Sequence, residues 1–424
     1  MYNLNIAALL LGPLLGVLLM ELGAPGPDVH QFGWPNGATV AFGAHVALAV
    51  LTYVLARRIF GRVSVPAADT TYSPPCYRRL ALVVFGLNAL QVAFVVFVVG
   101  AIGVLRGAIG KSEFRSQVGA FVGIGYLMRD FIIPLLAALV AAVYRRTRAG
   151  GFDRALLVAN LLLCAFGGAI WGFKGGAVMI VLPALTVLLP RIGAVGAVSA
   201  TGLAYAALTA FGMAFDRLSL TQSAAWIGVR ASVGAGNVAW KIWDWQARGE
   251  VFPPYWPTLG SALGGRLAAF LGVWSRDDPT VAYQYDFTAM ATQVAGDFEL
   301  GVDVAASNVT STVFGEAVIA FGAPGFLLMS VLVGLILAAN RHWLDVGLAQ
   351  ARPLTAALAV TYFFASVWPW INAGGISVLF MIPFLAAYAF AGGIGWLALR
   401  TAGIAGPPLA PLPSPEAGVA EAPA

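Results

Sequence analysis

The chain has 424 residues, 60% hydrophobic and only 10% charged, with a mean hydropathy of +0.84. A soluble domain carries about 25% charged residues, so the composition excludes a water-soluble enzyme or a nucleic-acid-binding module. It indicates an all-α polytopic integral membrane protein, whose net charge of +5 then reflects topology.

The first apolar stretch, "MYNLNIAALLLGPLLGVLLMELG", has no basic leader and no small-residue cleavage site, so it is expected to persist as a first span. About 20 apolar residues cross a bilayer. Such stretches fall at 5–22, 38–56, 80–105, 118–144, 155–172, 177–190, 192–214, 312–338, 353–371 and 376–399, which predicts about ten transmembrane helices. The fourth holds Arg129 and Asp130 and is expected to start as an interfacial helix over 114–128. The sixth is short and interrupted by proline.

Basic residues set the orientation. Arg57, Arg58, Arg62, Arg78 and Arg79 lie between the second and third stretches, and Arg145, Arg146, Arg148 and Arg154 follow the fourth. Arg191, Arg341, Arg352 and Arg400 follow later stretches. These thirteen of 24 basic residues fall on one side if the chain starts in the cytoplasm and crosses ten times. Both termini are then cytoplasmic. Residues 1–400 are expected to form one membrane-embedded domain, and the Pro/Ala-rich tail over 401–424 to be disordered.

Residues 215–311 form a 97-residue connection, placed outside the cytoplasm by this topology. A structureless loop of that length is improbable in a compact domain. "SAAWIGVRASVGAGNVAWKIWDWQ" reads as an amphipathic helix or helix pair on the membrane surface, and "LGSALGGRLAAFLGVW" as a second such element. Ten of the twelve tryptophans, among them Trp34, Trp240, Trp243 and Trp370, map to the same outer side. An interfacial belt populates both boundaries. The bias leaves two readings open, indoles that pack the loop and indoles that face sugar rings.

The span centres are almost free of charge, with Asn88, Gln91, His45 and Asn160 as the main polar exceptions. Ion-coupled transporters usually carry ionisable groups near the midplane. Chemistry is therefore expected at the outer membrane–water boundary, on a substrate presented by a lipid carrier. Lys174, in the turn "WGFKGGA", is a compact point charge suited to phosphate; the plain alternative is a lysine reaching the interface. Arg217, Arg230, Arg266 and Arg276 lie in the large loop. Several guanidinium forks on one surface suit a pyrophosphate, and solvated pairing with the loop's nine acids is the alternative. Arg230 is preferred, because an amphipathic helix would hold it at headgroup level. Glu316 sits near the start of the eighth stretch. It is either an acid favoured by the helix dipole and reaching out to water, or a partly desolvated base that takes a proton from an attacking hydroxyl. Asp297 and Glu299 are rival bases. The three histidines and two cysteines form no ligand cluster, so no metal and no cofactor is expected.

The turn "GFKGG", the segment "TSTVFGEAVIAFGAPG", the span number and the large outer loop before the last helices together resemble the Wzy-type polymerases of O-antigen and exopolysaccharide repeat units. That resemblance implies a bacterial inner-membrane glycosyltransferase, independent of metal and nucleotide sugar. It would transfer a growing glycan from undecaprenyl pyrophosphate onto a new lipid-linked repeat unit at the periplasmic face. The resemblance also implies that Arg217, Arg230, Arg266 and Arg276 grip pyrophosphate and that a chain-length regulator is a partner. It places Lys174 and Glu316 on matching motif positions. The rivals are an O-antigen ligase, which usually carries a periplasmic histidine that this loop lacks, and a flippase or transporter of lipid-linked glycans.

Overall fold

The computed structural model describes residues 1–23, 33–61, 70–101, 103, 124–125, 127–170, 176–216, 218–231, 233–249, 263, 271 and 311–404. The interfacial helix expected over 114–128, the second amphipathic element of the large loop and the tail beyond 404 lie almost wholly outside the described residues.

Among the described residues the chain is helical, without a named strand; a single bridging pair joins Tyr72 and Thr147. The helices are α1 (Tyr2–Glu21), α2 (Ala38–Gly61), α3 (Pro74–Ala93), α4 (Ile133–Tyr144), α5 (Gly151–Ala169), α6 (Gly176–Leu188), α7 (Ala194–Asp216), α8 (Leu220–Ala231), α9 (Val233–Ala247), α10 (Val313–Phe321), α11 (Gly325–Ala349), α12 (Pro353–Tyr362), α13 (Trp368–Ala373) and α14 (Ile382–Thr401). Wider π-helical turns extend α3 over Phe94–Val98, lead into α4 over Leu127–Ile132 and join α12 to α13 over Phe363–Val367. Among the described residues, eight continuous segments are long and apolar enough to cross a membrane. The protein is a multi-pass α-helical membrane protein with lipid-facing surface. The other two stretches read as spans form α6, of 13 residues, and α7, of 23.

The apolar composition decides what lies in the middle. Every residue of α4 from Ile133 to Val143 is buried, and α3, α5, α6, α12 and α14 pack around it. The second half of the bundle is built where small residues let backbones approach. At Gly334 of α11 a Cβ would lie 2.6 Å from the Ala49 carbonyl oxygen of α2. At Gly236 of α9 it would lie 2.5 Å from the Val17 nitrogen of α1. Buried polar side chains tie helices together where water is absent. Asn5 donates to Thr186 Oγ1 (3.1 Å), the Tyr2 hydroxyl to Asn340 Oδ1 (2.7 Å), and Asn88 to Cys164 Sγ (3.0 Å).

Most of the described arginines gather at one end, Arg129 and Arg248 being exceptions. Arg57 and Arg341 share Asp345 (2.8 and 3.0 Å), and Arg78 pairs with Asp153 (2.6 Å). Arg145 donates to the Val187 carbonyl (3.0 Å) and Arg146 to that of Leu348 (2.7 Å), meeting carbonyls left open where α6 and α11 finish. The Met1 nitrogen donates to the Leu189 carbonyl (3.0 Å), and Gly403 lies beside Cys76. Met1 and the end of α14 thus share the basic end.

Two expectations are corrected. The stretch 312–338 is not one continuous span: it breaks at Gly322, where φ is +72°, and Pro324, leaving α10 and α11 as separate rods. The segment "SAAWIGVRASVGAGNVAWKIWDWQ" does form a helix pair, but α9 does not lie on the surface. It packs on α1 and α10 and buries Trp240, Lys241, Ile242 and Asp244. The glycine of "VGAG" that faces α1 makes that insertion possible.

Candidate functional site

Glu316 occupies the end of the bundle opposite the arginines. Thr312 caps α10, its hydroxyl accepting from the Gly315 nitrogen (3.4 Å), so Glu316 falls in the first helical turn. The helix dipole favours an acid there. The break at Gly322 keeps α10 to nine residues and turns it into the protein. Glu316 is 0% exposed, so of its two readings the one that reaches out to water does not hold.

Two donors meet it. Trp370 Nε1, on α13, donates to Oε2 (3.1 Å), and the Ile376 backbone nitrogen donates to Oε1 (2.8 Å). The second bond depends on Gly374 and Gly375, whose φ values of +82° and +84° reverse the chain after α13 in a region other residues rarely adopt. An isolated carboxylate in an apolar interior is very costly, and donors of this kind offset its burial.

A second polar group lies at the same end. Glu21 accepts from the backbone nitrogens of Asn36 (3.0 Å) and Thr39 (3.3 Å), capping α2. Asn36 Nδ2 donates to Asp244 Oδ1 (3.2 Å), and Arg248 pairs with Asp244 one turn along α9. The Arg248 guanidinium also lies 5.0 Å from the Trp34 ring centroid. Trp240 and Trp243 donate through Nε1 to the carbonyls of Trp34 and Asn36 (3.2 Å each). Trp243 reaches Phe314 on α10, 5.8 Å between centroids, and so links the two groups.

Lys241, 3% exposed, lies on this same helix. Ile242 Cδ1 would stand 2.9 Å from a Cβ at Gly315, so Lys241 and Glu316 are each one residue from the contact between α9 and α10. Behind the break, the Ser330 hydroxyl is 2.7 Å from His45 Nδ1 and 2.5 Å from the Phe326 carbonyl, fastening α11 to α2. Buried Glu316, Asp244 and Lys241, with half-exposed Arg248 and packed indoles beside them, place fixed charges of both signs at one end of the bundle, which makes a preorganised electrostatic surface.

Of the six candidate residues, the description brings Glu316 into this group. Arg230 lies on α8, which packs on α7, α9 and α1, and its side chain is outside the described residues. Lys174, Arg217, Arg266 and Arg276 lie outside them as well, as do Asp297 and Glu299. Sequence reasoning missed Lys241, Asp244 and Trp370. The available signal was spacing: Lys241, Asp244 and Arg248 stand at i, i+3 and i+7, one face of a helix, within "WKIWDWQAR". The indoles of Trp34, Trp240, Trp243 and Trp370 are engaged in packing and hydrogen bonds, which favours the packing reading for those four.

No protein-family model, curated protein or solved structure matches the chain.

Proposed function

We propose that this protein is a metal-independent glycosyltransferase that polymerises oligosaccharide repeat units carried on undecaprenyl pyrophosphate, at the periplasmic face of a bacterial inner membrane. The observation that carries the reading is the buried carboxylate of Glu316, fixed among charged and indole side chains at the end of the bundle opposite the arginines. Basic residues favour the cytoplasmic side, so this reading puts the Glu316 end in the periplasm and both described ends of the chain in the cytoplasm. The likeness of "GFKGG" and "TSTVFGEAVIAFGAPG" to Wzy-type polymerases supplies the substrate class.

In this reaction an acceptor hydroxyl attacks the anomeric carbon of the donor glycan. The bond from that carbon to the pyrophosphate oxygen breaks, and the diphosphate leaves on its lipid. Arg230, with Lys174, Arg217, Arg266 and Arg276, neutralises the leaving diphosphate, which is the main electrostatic requirement. Glu316 receives the hydroxyl proton. Its two oxygens accept from Trp370 and Ile376. Those donors fix the carboxylate where the acceptor must approach.

A deletion strain complemented with variants tests the proposal on a glycan gel. Loss of the gene leaves single-repeat glycan on its final acceptor. Arg230→Ala and Glu316→Gln each abolish long chains per unit of membrane-inserted protein, and normal polymer from both removes them from the site. Complete absence of glycan would instead indicate a ligase.

The broken pair α10–α11 favours one second reading, a transporter of lipid-linked glycan, because discontinuous helices with buried charge also build transport sites. Repeat units stranded on the cytoplasmic side in the deletion strain would establish it.

A further inference from the structure

Helix α7 leaves a groove against the start of α1. It is about 540 Å³ in volume and is lined by Leu4, Ala197, Val198, Thr201, Gly202 and Tyr205, within the range of small-molecule pockets. Its wall is almost entirely apolar. α7 packs mainly on α8, held there by the Tyr205 hydroxyl, which donates to the Ala224 carbonyl (2.7 Å). The outer flanks of α7 remain bare, with Val195 and Val198 82% and 74% exposed. Water does not fill such a groove at membrane depth; hydrocarbon does.

The groove has an orientation. Leu4 is one turn from Met1, whose nitrogen donates to the Leu189 carbonyl. Two residues further on is Arg191, exposed and three residues before α7 begins. Arg145 reaches the same corner through Val187. The groove thus runs from the basic end, near cationic side chains, along α7 to Tyr205. Among the described residues no carboxylate pairs with Arg191. From Ala197 to Tyr205 the helix rises about 12 Å, close to the ~15 Å hydrocarbon depth of one leaflet.

We propose that this groove holds one acyl chain of an anionic glycerophospholipid from the leaflet at the basic end, with its headgroup phosphate at Arg191. The length favours an acyl chain over a long isoprenoid, and the charge favours an anionic headgroup over a zwitterionic one. The site is separate from the Glu316 end and does not depend on the proposed reaction.

The test is native mass spectrometry of the delipidated full-length protein in detergent, titrated with phosphatidylglycerol or phosphatidylcholine of identical chains. Phosphatidylglycerol is retained about fivefold more strongly, the gain expected from one cation at an anionic headgroup. Arg191→Gln abolishes that preference while chain binding persists. Gly202→Trp, at a position where a Cβ meets nothing within 4 Å, fills the groove and removes binding of both lipids. Equal retention of the two lipids by the wild type overturns the proposal, as does an unchanged preference in Arg191→Gln. Displacement of phosphatidylglycerol by equimolar undecaprenyl phosphate would reassign the groove to an isoprenoid. Disulfide-linked dimers of a Val198→Cys variant in membranes would reassign it to a second copy of the chain.

Discussion

Replacing Glu316 by glutamine preserves volume and shape but turns one acceptor oxygen into an amide donor. In the wild type both oxygens face N–H groups, Trp370 Nε1 at 3.1 Å and the Ile376 nitrogen at 2.8 Å. Glutamine answers one of them and presents an N–H to the other. A hydrogen bond to a charged group contributes about 1.5–3 kcal/mol, and a buried donor left unmet costs about 1–3 kcal/mol. Losing one bond, weakening the other and leaving a donor unmet sum to about 3–6 kcal/mol for an ionised carboxylate. A carboxyl held protonated would already present an O–H to one donor, and glutamine would then cost less than about 1 kcal/mol. Trp370→Phe removes one donor and leaves the Ile376 bond intact, at about 1–2 kcal/mol. The two changes share a bond, so their double variant falls short of additivity by about 1–2 kcal/mol. Denaturant unfolding of the detergent-solubilised protein, with the four members of the cycle compared, measures both quantities. A Glu316→Gln variant within about 0.5 kcal/mol of wild type, or strict additivity with Trp370→Phe, refutes an ionised anchor at this position.

Gly334→Ala forces a methyl group to within 2.6 Å of the Ala49 carbonyl oxygen, so α2 and α11 must separate; a loss of about 1–3 kcal/mol is expected in the same unfolding assay. Gln91 is buried, with neither side-chain nitrogen nor oxygen bonded, and Gln91→Leu is therefore expected to raise the melting temperature, by an unfolding free energy of about 1–2 kcal/mol. Tyr72 donates to the Ala351 carbonyl (2.7 Å), and burial raises its phenol above the usual value while Arg146 partly opposes the shift. The unfolded phenol ionises first as pH rises through about 10. Its contribution is therefore complete below that pH and is lost as pH climbs toward the folded value. Tyr72→Phe should lower stability near neutrality by about 1 kcal/mol and flatten the alkaline limb of a pH–stability profile.

Helical class and most span positions were legible because apolar runs and arginine placement are direct consequences of the bilayer. The sharing of Asp345 by Arg57 and Arg341, and the landing of Arg145 on Val187, realise that charge pattern. The break inside 312–338 was less legible. Gly322 and Pro324 were visible in "AFGAPGF", but hydropathy continues unchanged across them. The burial of α9 was hidden for the opposite reason. Its mix of charges and indoles suggested an amphipathic helix on the membrane surface, whereas Lys241 and Asp244 are buried in protein, where Gly236 allows α1 to come close. Glu316 stood out as a carboxylate at the mouth of an apolar stretch, but its partners did not. Trp370 and Ile376 lie 54 and 60 residues away, and only the paired left-handed glycines bring Ile376 back to it.

Helix α4 touches almost nothing but protein, and this constrains how the molecule is made. Its neighbours α12 and α14 are encoded roughly 200 residues later. At a synthesis rate of about 5–20 residues per second, the segment waits roughly 10–40 s for its final surroundings. During that interval lipid must stand in for the missing helices. The unbroken run of Ile, Leu, Val and Ala in "IPLLAALVAAV", more apolar than a protein-buried helix needs, is the composition that makes the temporary exposure tolerable. Polar substitutions there should therefore fail at membrane insertion, before the finished bundle has had any chance to accommodate them.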